Sequence, residues 1–151
     1  MSIGQMCGRN VDLIDENESV HEAACRMRDR DVGMLVVVDV HDRPVGIVTA
    51  HDLVARAFTE GPAAGALMVS SIMTPHPKMI TEEAPIASAV SIMAYGSVRR
   101  LPVVDRDGRV VGVISLDGVM AQRAEEFTMI GQLLNSQMPY RRTMLDVGLE
   151  T

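Results

Sequence analysis

The sequence predicts an α+β fold, in which two tandem β-α-β-β-α repeats each carry a small mixed sheet and the two sheets pack face to face. The prediction rests on an internal repeat in fixed register, a helical apolar period opening each copy, and paired β-branched runs that follow it. Val37-Val38-Asp39 recurs as Val103-Val104-Asp105, and Val45-Gly46 recurs as Val111-Gly112, both 66 positions later (37 to 103, 46 to 112). Held at that offset without a gap, Ile14 meets Ile80, Glu16 meets Glu82, Ala23 meets Ala89, Met27 meets Met93, Val32 meets Val98, Leu35 meets Leu101 and Arg43 meets Arg109. Chance does not keep one register across so many positions.

Each element has its own signal. Short strands at 12–14 and 78–80 precede the copies. Val20, Ala23, Ala24 and Met27 fall at helical spacing, and so do their counterparts Ile86, Ala89, Val90 and Met93, so each copy opens with an amphipathic helix. Ser19-Val20-His21-Glu22 has the form of a capping box, Pro85 stands at the start of the second helix, and Gly96 can end it. β-Branched runs at 35–39 and 101–105 are each followed by a turn and a second run, at 45–49 and 110–115, with Asp107-Gly108 marking a hairpin. A further helix follows each pair, at 50–58 and from 116 into the Glu125-Glu126 region. Gly61, Pro62 and Gly65 mark the connection between the copies. The expected organisation is a first repeat at 3–60, a linker at 61–70, a second repeat at 71–124 and a C-terminal helix and tail at 125–151. In that tail Phe127, Ile130, Leu133 and Leu134 form a helical stripe before Pro139 and Tyr140-Arg141-Arg142; it either covers the protein's own core or meets a partner. Each repeat has one apolar face, and two repeats can bury those faces against each other.

Composition narrows the function classes. A net charge of -6 and a pI near 5.1 disfavour nonspecific binding to nucleic acid or anionic membranes, which depend on summed positive charge. With two Phe, two Tyr and no Trp, the core is aliphatic and draws on twelve Met. Cys7 and Cys25 have no CxxC or zinc-ligand context and read as reduced thiols, which fits the cytoplasm. Met1-Ser2-Ile3-Gly4-Gln5 lacks a basic leader, and no run approaches the roughly 18 apolar residues of a membrane span, so neither secretion nor membrane insertion is expected.

An enzyme reading starts from His51-Asp52, which superficially resembles the metal-binding dyad of phosphohydrolases. A hydrolytic metal needs at least three ligands, and His21, His41 and His76 sit in a helix, a turn and a linker with no shared motif. No G-x-S-x-G or activated-cysteine context is present either. No catalytic residue and no metal ligand is therefore assigned.

Two segments, Gly46-Ile47-Val48-Thr49-Ala50-His51-Asp52 and Val98-Arg99-Arg100-Leu101-Pro102-Val103-Val104-Asp105, resemble the CBS motif, named for cystathionine β-synthase. The resemblance covers roughly residues 3 to 124, and two motifs in tandem are similar to the pair known as a Bateman module. It implies a regulatory module that binds an adenosine-containing ligand between its repeats and passes the occupancy on. With no catalytic domain in the sequence, it implies a stand-alone, non-enzymatic module signalling to a separate, unidentified protein. The ligands implied are AMP, ADP or ATP, ahead of S-adenosylmethionine or NAD, with no obligatory cofactor. A homodimer, as a flat disk of four repeats, is the assembly implied.

The resemblance also assigns residues. In the family pattern G-h-h-[ST]-x-x-D, the Asp chelates the ribose diol and the hydroxyl residue sits against phosphate at a helix N-terminus, here Asp52 and Thr49. Basic residues just before the second repeat's Leu-Pro-Val strand face that phosphate, here Arg99 and Arg100. The base would lie against Pro77, Lys78, Met79 and Ile80. Read alone, Thr49-x-x-Asp52 is also close to a capping box and starts a helix equally well. The symmetry-related cleft departs from the pattern: Ser115 is kept, but Gly118 stands where Asp is expected, and Asp117 is one residue early, about a 100° rotation on a helix. Gly33 and Met34 occupy the places equivalent to Arg99 and Arg100. One competent cleft and one degenerate cleft are expected, with a ligand-free dimerisation scaffold as the alternative.

Overall fold

The computed structural model describes residues 1–137, which fall into two units, Met1–Leu116 and the residues from Asp117 onward. Pro139 and Tyr140-Arg141-Arg142 lie outside the described residues. The first unit opens with a short helix α1 (Ile3–Met6), followed by β1 (Leu13–Asp15), α2 (Val20–Arg30), β2 (Met34–Val38) and β3 (Pro44–Thr49). Helix α3 (Ala50–Asp52) continues as a π-helical turn, Leu53–Ala57, and a 3-10 turn, Phe58–Glu60. After two further 3-10 turns, Ala64–Ala66 and Val69–Ser71, come β4 (Thr74–Pro75), β5 (Ile80–Thr81), α4 (Ile86–Gly96), β6 (Arg100–Val104) and β7 (Val110–Ser115).

Two mixed sheets result, as the repeat predicts. One has the order β1-β2-β3-β4, with β1 parallel to β2 and the other pairs antiparallel; the second has the order β5-β6-β7, with β5 parallel to β6. The copies share their irregularities. The register slips at Val37/Val38 and again at Val103/Val104, and the hairpin tips turn through left-handed residues Asp42 and Gly108. Left-handed Asp31 and Ser97 end α2 and α4, so Ser97 rather than Gly96 makes the second C-cap.

Of the expected Ser19–Glu22 capping box the structure keeps the Ser19 half. Ser19 caps α2 by accepting from the Glu22 amide at 3.1 Å. Ile14, Val20, Ala23, Met27, Leu35, Val37 and Val48 make the first core, and their counterparts Ile80, Ile86, Ala89, Met93, Leu101, Val103 and Ile114 are buried alike. Val36 and Val38, on the opposite face of β2, are also buried, as expected of a sheet covered on both sides.

The two repeats exchange their edges, which the sequence did not announce. Val69, inside the expected linker region, is fully buried in the first core, and its amide donates to the Glu18 carbonyl at 2.8 Å. Ile3 is the residue 66 positions earlier; it is fully buried too, and its amide donates to the Ala84 carbonyl at 3.0 Å. The segment preceding the second repeat thus completes the first, and the segment preceding the first repeat completes the second. Gly8 pairs with Val113 as Thr74 pairs with Ile47. The fit is close: a Cβ on Gly112 would lie 2.7 Å from the Cys7 Sγ and 2.8 Å from the Gly8 carbonyl oxygen, and one on Gly46 would lie 2.4 Å from the Met73 Sδ. At Gly112 the obstacle is backbone, so only glycine fits there, whereas at Gly46 a side chain would require Met73 to move.

Arg26 ties α2 to β1. Its guanidinium donates to the Leu13 carbonyl at 2.8 Å and to both Glu18 carboxylate oxygens at 2.9 and 2.7 Å. The Arg26 hydrogen bonds hold Glu18 at about 2, against an ordinary 4.5, outweighing the opposing effect of its burial. A carboxylate depressed in the fold stabilises it above the unfolded value and loses that contribution as pH falls. Acid melting should therefore show stability falling between pH 4.5 and about 2, and Glu18→Gln should flatten that limb. An equally steep limb in the variant would assign the acid sensitivity elsewhere.

Helix α5 (Leu116–Gln137) supplies the described part of the second unit. Its stripe Phe127, Ile130, Leu133 and Leu134 is exposed, Phe127 by 72%. Among the described residues no helix is long and apolar enough to cross a membrane.

Candidate functional site

β3 ends at Thr49 because the chain turns there into α3, and the turn is closed by side chains. The Thr49 hydroxyl accepts from the Asp52 amide at 3.2 Å, and Asp52 Oδ2 accepts from both the Thr49 amide and the Thr49 hydroxyl at 2.9 Å. This is a complete capping box. Capping and ligand contact are nevertheless compatible, because the box uses only one carboxylate oxygen. Asp52 Oδ1 lies 3.7 Å from Arg56 Nε, beyond a hydrogen bond, and no buried side-chain polar atom among the described residues lacks a partner, so Oδ1 keeps access to solvent. At 7% exposure Asp52 is the one charged residue among the buried described residues. A buried carboxylate with one oxygen fixed and the other open is an acceptor aimed from a rigid frame.

The Thr49 hydroxyl is committed as a donor to Asp52. For it to donate to a phosphate oxygen it must first release Oδ2, so in this geometry Thr49 orients Asp52.

Arg56, one helical turn beyond Asp52, lies outside the family pattern, which ends at Asp52. Its guanidinium ion-pairs with Asp52 and donates to the Ile72 carbonyl at 3.2 Å and the Met73 carbonyl at 3.5 Å. These carbonyls precede β4, which pairs with Gly46 and Ile47 of β3. The i, i+4 spacing from Asp52 could have pointed to it.

The same chain leads through His76, in the left-handed region at φ 52°, into Pro77 and Lys78. The Lys78 stem crosses the end of α4 so closely that a Cβ on Gly96 would lie 2.4 Å from its Cδ, and a side chain there would displace the lysine. Met79 is partly exposed, whereas the Ile80 side chain is buried in the second core, leaving only its backbone for a ligand. Arg99 and Arg100 are exposed at the start of β6, where Arg100 pairs with Ser115 and the Arg99 carbonyl accepts from the Leu116 amide at 2.8 Å. The structure therefore joins Thr49 and Asp52 to the strand entering Pro77, and places the two arginines on the other sheet. The hairpin tips of the two repeats touch, the Val110 amide donating to the Asp42 carbonyl at 2.9 Å.

A shallow groove of 540 Å³ lies elsewhere, between β1 and the outer side of α2, lined by Asp12, Leu13, Glu22, Cys25, Arg26, Asp29 and Arg30. None of the expected site residues lines it. Both of its arginines are already engaged, Arg26 with Glu18 and Arg30 with Asp12.

Comparison with known proteins agrees with this fold. An uncharacterised protein of Methanopyrus kandleri is 29% identical over 120 residues, covering 80% of this chain and 61% of that protein, so the chain spans less than two thirds of its length. The structure of CBSX2 in complex with AMP is 26% identical, with a TM-score of 0.71, and covers 82% of this chain and 96% of that one. A CBS domain pair in complex with 5′-methylthioadenosine and S-adenosyl-L-methionine is 24% identical, with a TM-score of 0.71 over 83% of this chain and 98% of that one, a likeness of fold. The family model described as the CBS domain matches twice, at residues 3–58 and 69–125, one match on each repeat. The chain belongs to the CBS-domain family and carries two CBS domains in tandem.

Proposed function

We propose that this chain is a non-enzymatic regulatory module of the cytoplasm that binds an adenine nucleotide in one cleft between its repeats and signals to a separate protein. The observation that carries the reading is the open Oδ1 of buried Asp52, held in place by Thr49. Ribose hydroxyls donate to that oxygen, and Arg99 and Arg100 supply positive charge for phosphate on a chain whose net charge is -6. The Pro77-Lys78-Met79-Ile80 segment forms the wall against the base, through its backbone and the Met79 side chain. The AMP held by CBSX2 supports AMP as the first ligand to test, with ADP and ATP beside it. S-adenosylmethionine follows, and NAD last. The module works as a homodimer: Val54 and Phe58, on the turns that follow Asp52, are exposed by 65% and 78% and are suited to burial against a second copy.

A thermal-shift panel tests the reading. AMP, ADP or ATP at 100 times its Kd should add about 2.7 kcal/mol of stability. If no adenosine derivative moves the melting temperature, the ligand-free scaffold replaces the sensor.

A further inference from the structure

Arg56 stands where the two halves of the proposed site meet, and no other part of the site explains its position. It reaches Asp52 Oδ1 at 3.7 Å with Nε and the Ile72 and Met73 carbonyls with the other end of the same guanidinium. Ile72 is buried in the first core and the Met73 Sδ packs over Gly46, so these carbonyls are firmly placed. Five planar donors allow one arginine to hold a carboxylate and two carbonyls together, which a point charge on a flexible stem does less well. The π-helical turn at Leu53–Ala57 contains Arg56, and such rare turns occur frequently at functional sites. At the equivalent position 66 residues on, where the second repeat has Gly118 in place of Asp52, the chain has Gln122 instead of arginine. The carboxylate and the arginine are present together in one repeat and missing together in the other.

We infer that Arg56 is the positioning residue of the nucleotide site: it keeps Oδ1 of Asp52 turned toward the ribose and ties that carboxylate to the chain that continues into the opposite wall. The inference rests on the nucleotide reading above, and its test separates the two. Affinities for AMP and for 2′-deoxyadenosine 5′-monophosphate are measured by calorimetry on the full chain, for wild type, Arg56→Gln and Arg56→Lys. Wild type should prefer the ribonucleotide by about tenfold, the value of one charge-assisted hydrogen bond. Arg56→Gln should weaken AMP by about tenfold and the deoxynucleotide much less, so that the preference collapses toward unity. Arg56→Lys, which keeps the charge and loses the fork, should fall between them. An arginine that merely supports the fold would weaken both nucleotides equally and leave the ratio intact, and that result overturns the inference. So does wild-type affinity for both nucleotides in Arg56→Gln. Should Arg56→Gln fail to melt cooperatively, Arg56→Lys decides alone, a wild-type ratio again overturning it. Wild type binding neither nucleotide would remove the nucleotide reading and the inference with it.

Discussion

Ile3→Ala should lower stability by about 2–5 kcal/mol, the range for truncating a buried isoleucine. In a chain of this size that is a fall of roughly 5–20 °C in melting temperature. The segment from Ile3 to Gly8 is an integral part of the second repeat, although it precedes the first. Ile3 is fully buried, its amide and that of Gly4 donate to Ala84 and Glu82, and Cys7 and Gly8 close on Gly112. Arg9→Ala just beyond it should change little, because its 4.0 Å approach to Glu82 is a surface pair worth about 0–1 kcal/mol. Differential scanning calorimetry measures both. An Ile3→Ala melting temperature within a degree or two of wild type would mean that the N-terminal segment docks without contributing to the fold.

That segment marks the limit of what could be read from the amino acids. The repeat register was legible from side chains that face one core, because burial leaves Ile14 and Ile80, or Leu35 and Leu101, little freedom to differ. The edge exchange was not. Residues 3–8 and 69–74 occupy equivalent places without one identical residue between them, since their main contribution is backbone hydrogen bonds, which any residue with an amide can make. Gly, Pro and polar residues near Gly61 and Pro62 correctly signalled a connection, but they could not show that Val69 belongs to the core. The site divides in the same way. Thr49 and Asp52 were visible as a pattern, with cap and ligand contact left open; the atoms resolve the cap onto Oδ2 and leave Oδ1 over. Arg56 left only its i, i+4 spacing from Asp52 as a signal, because its other partners are two main-chain carbonyls from a distant segment, which no spacing rule encodes.

The largest functional effect should come from Asp52, and two substitutions separate its two duties. Asp52→Asn keeps an oxygen that can accept from the Thr49 amide, so the turn from β3 into α3 survives and the melting temperature stays close to wild type. It loses the charge that ribose hydroxyls meet and the ion pair to Arg56, so affinity for the adenine nucleotide should fall by about 1.5–3 kcal/mol, roughly 10- to 150-fold. Asp52→Ala removes the acceptor of the Thr49 amide and hydroxyl as well, while Thr49 still caps the helix. It should abolish measurable binding and also cost about 1 kcal/mol of stability, typical for one lost hydrogen bond. Calorimetric titration alongside thermal melting reads both effects on the same samples. If both variants bind as wild type does while Asp52→Ala is destabilised, the carboxylate only starts a helix, and the sensor reading loses the observation on which it stands. Asp117→Asn supplies the control from the second repeat, where the acidic residue stands one position early; it should leave affinity unchanged. A loss there matching that of Asp52→Asn would move the nucleotide to the other cleft.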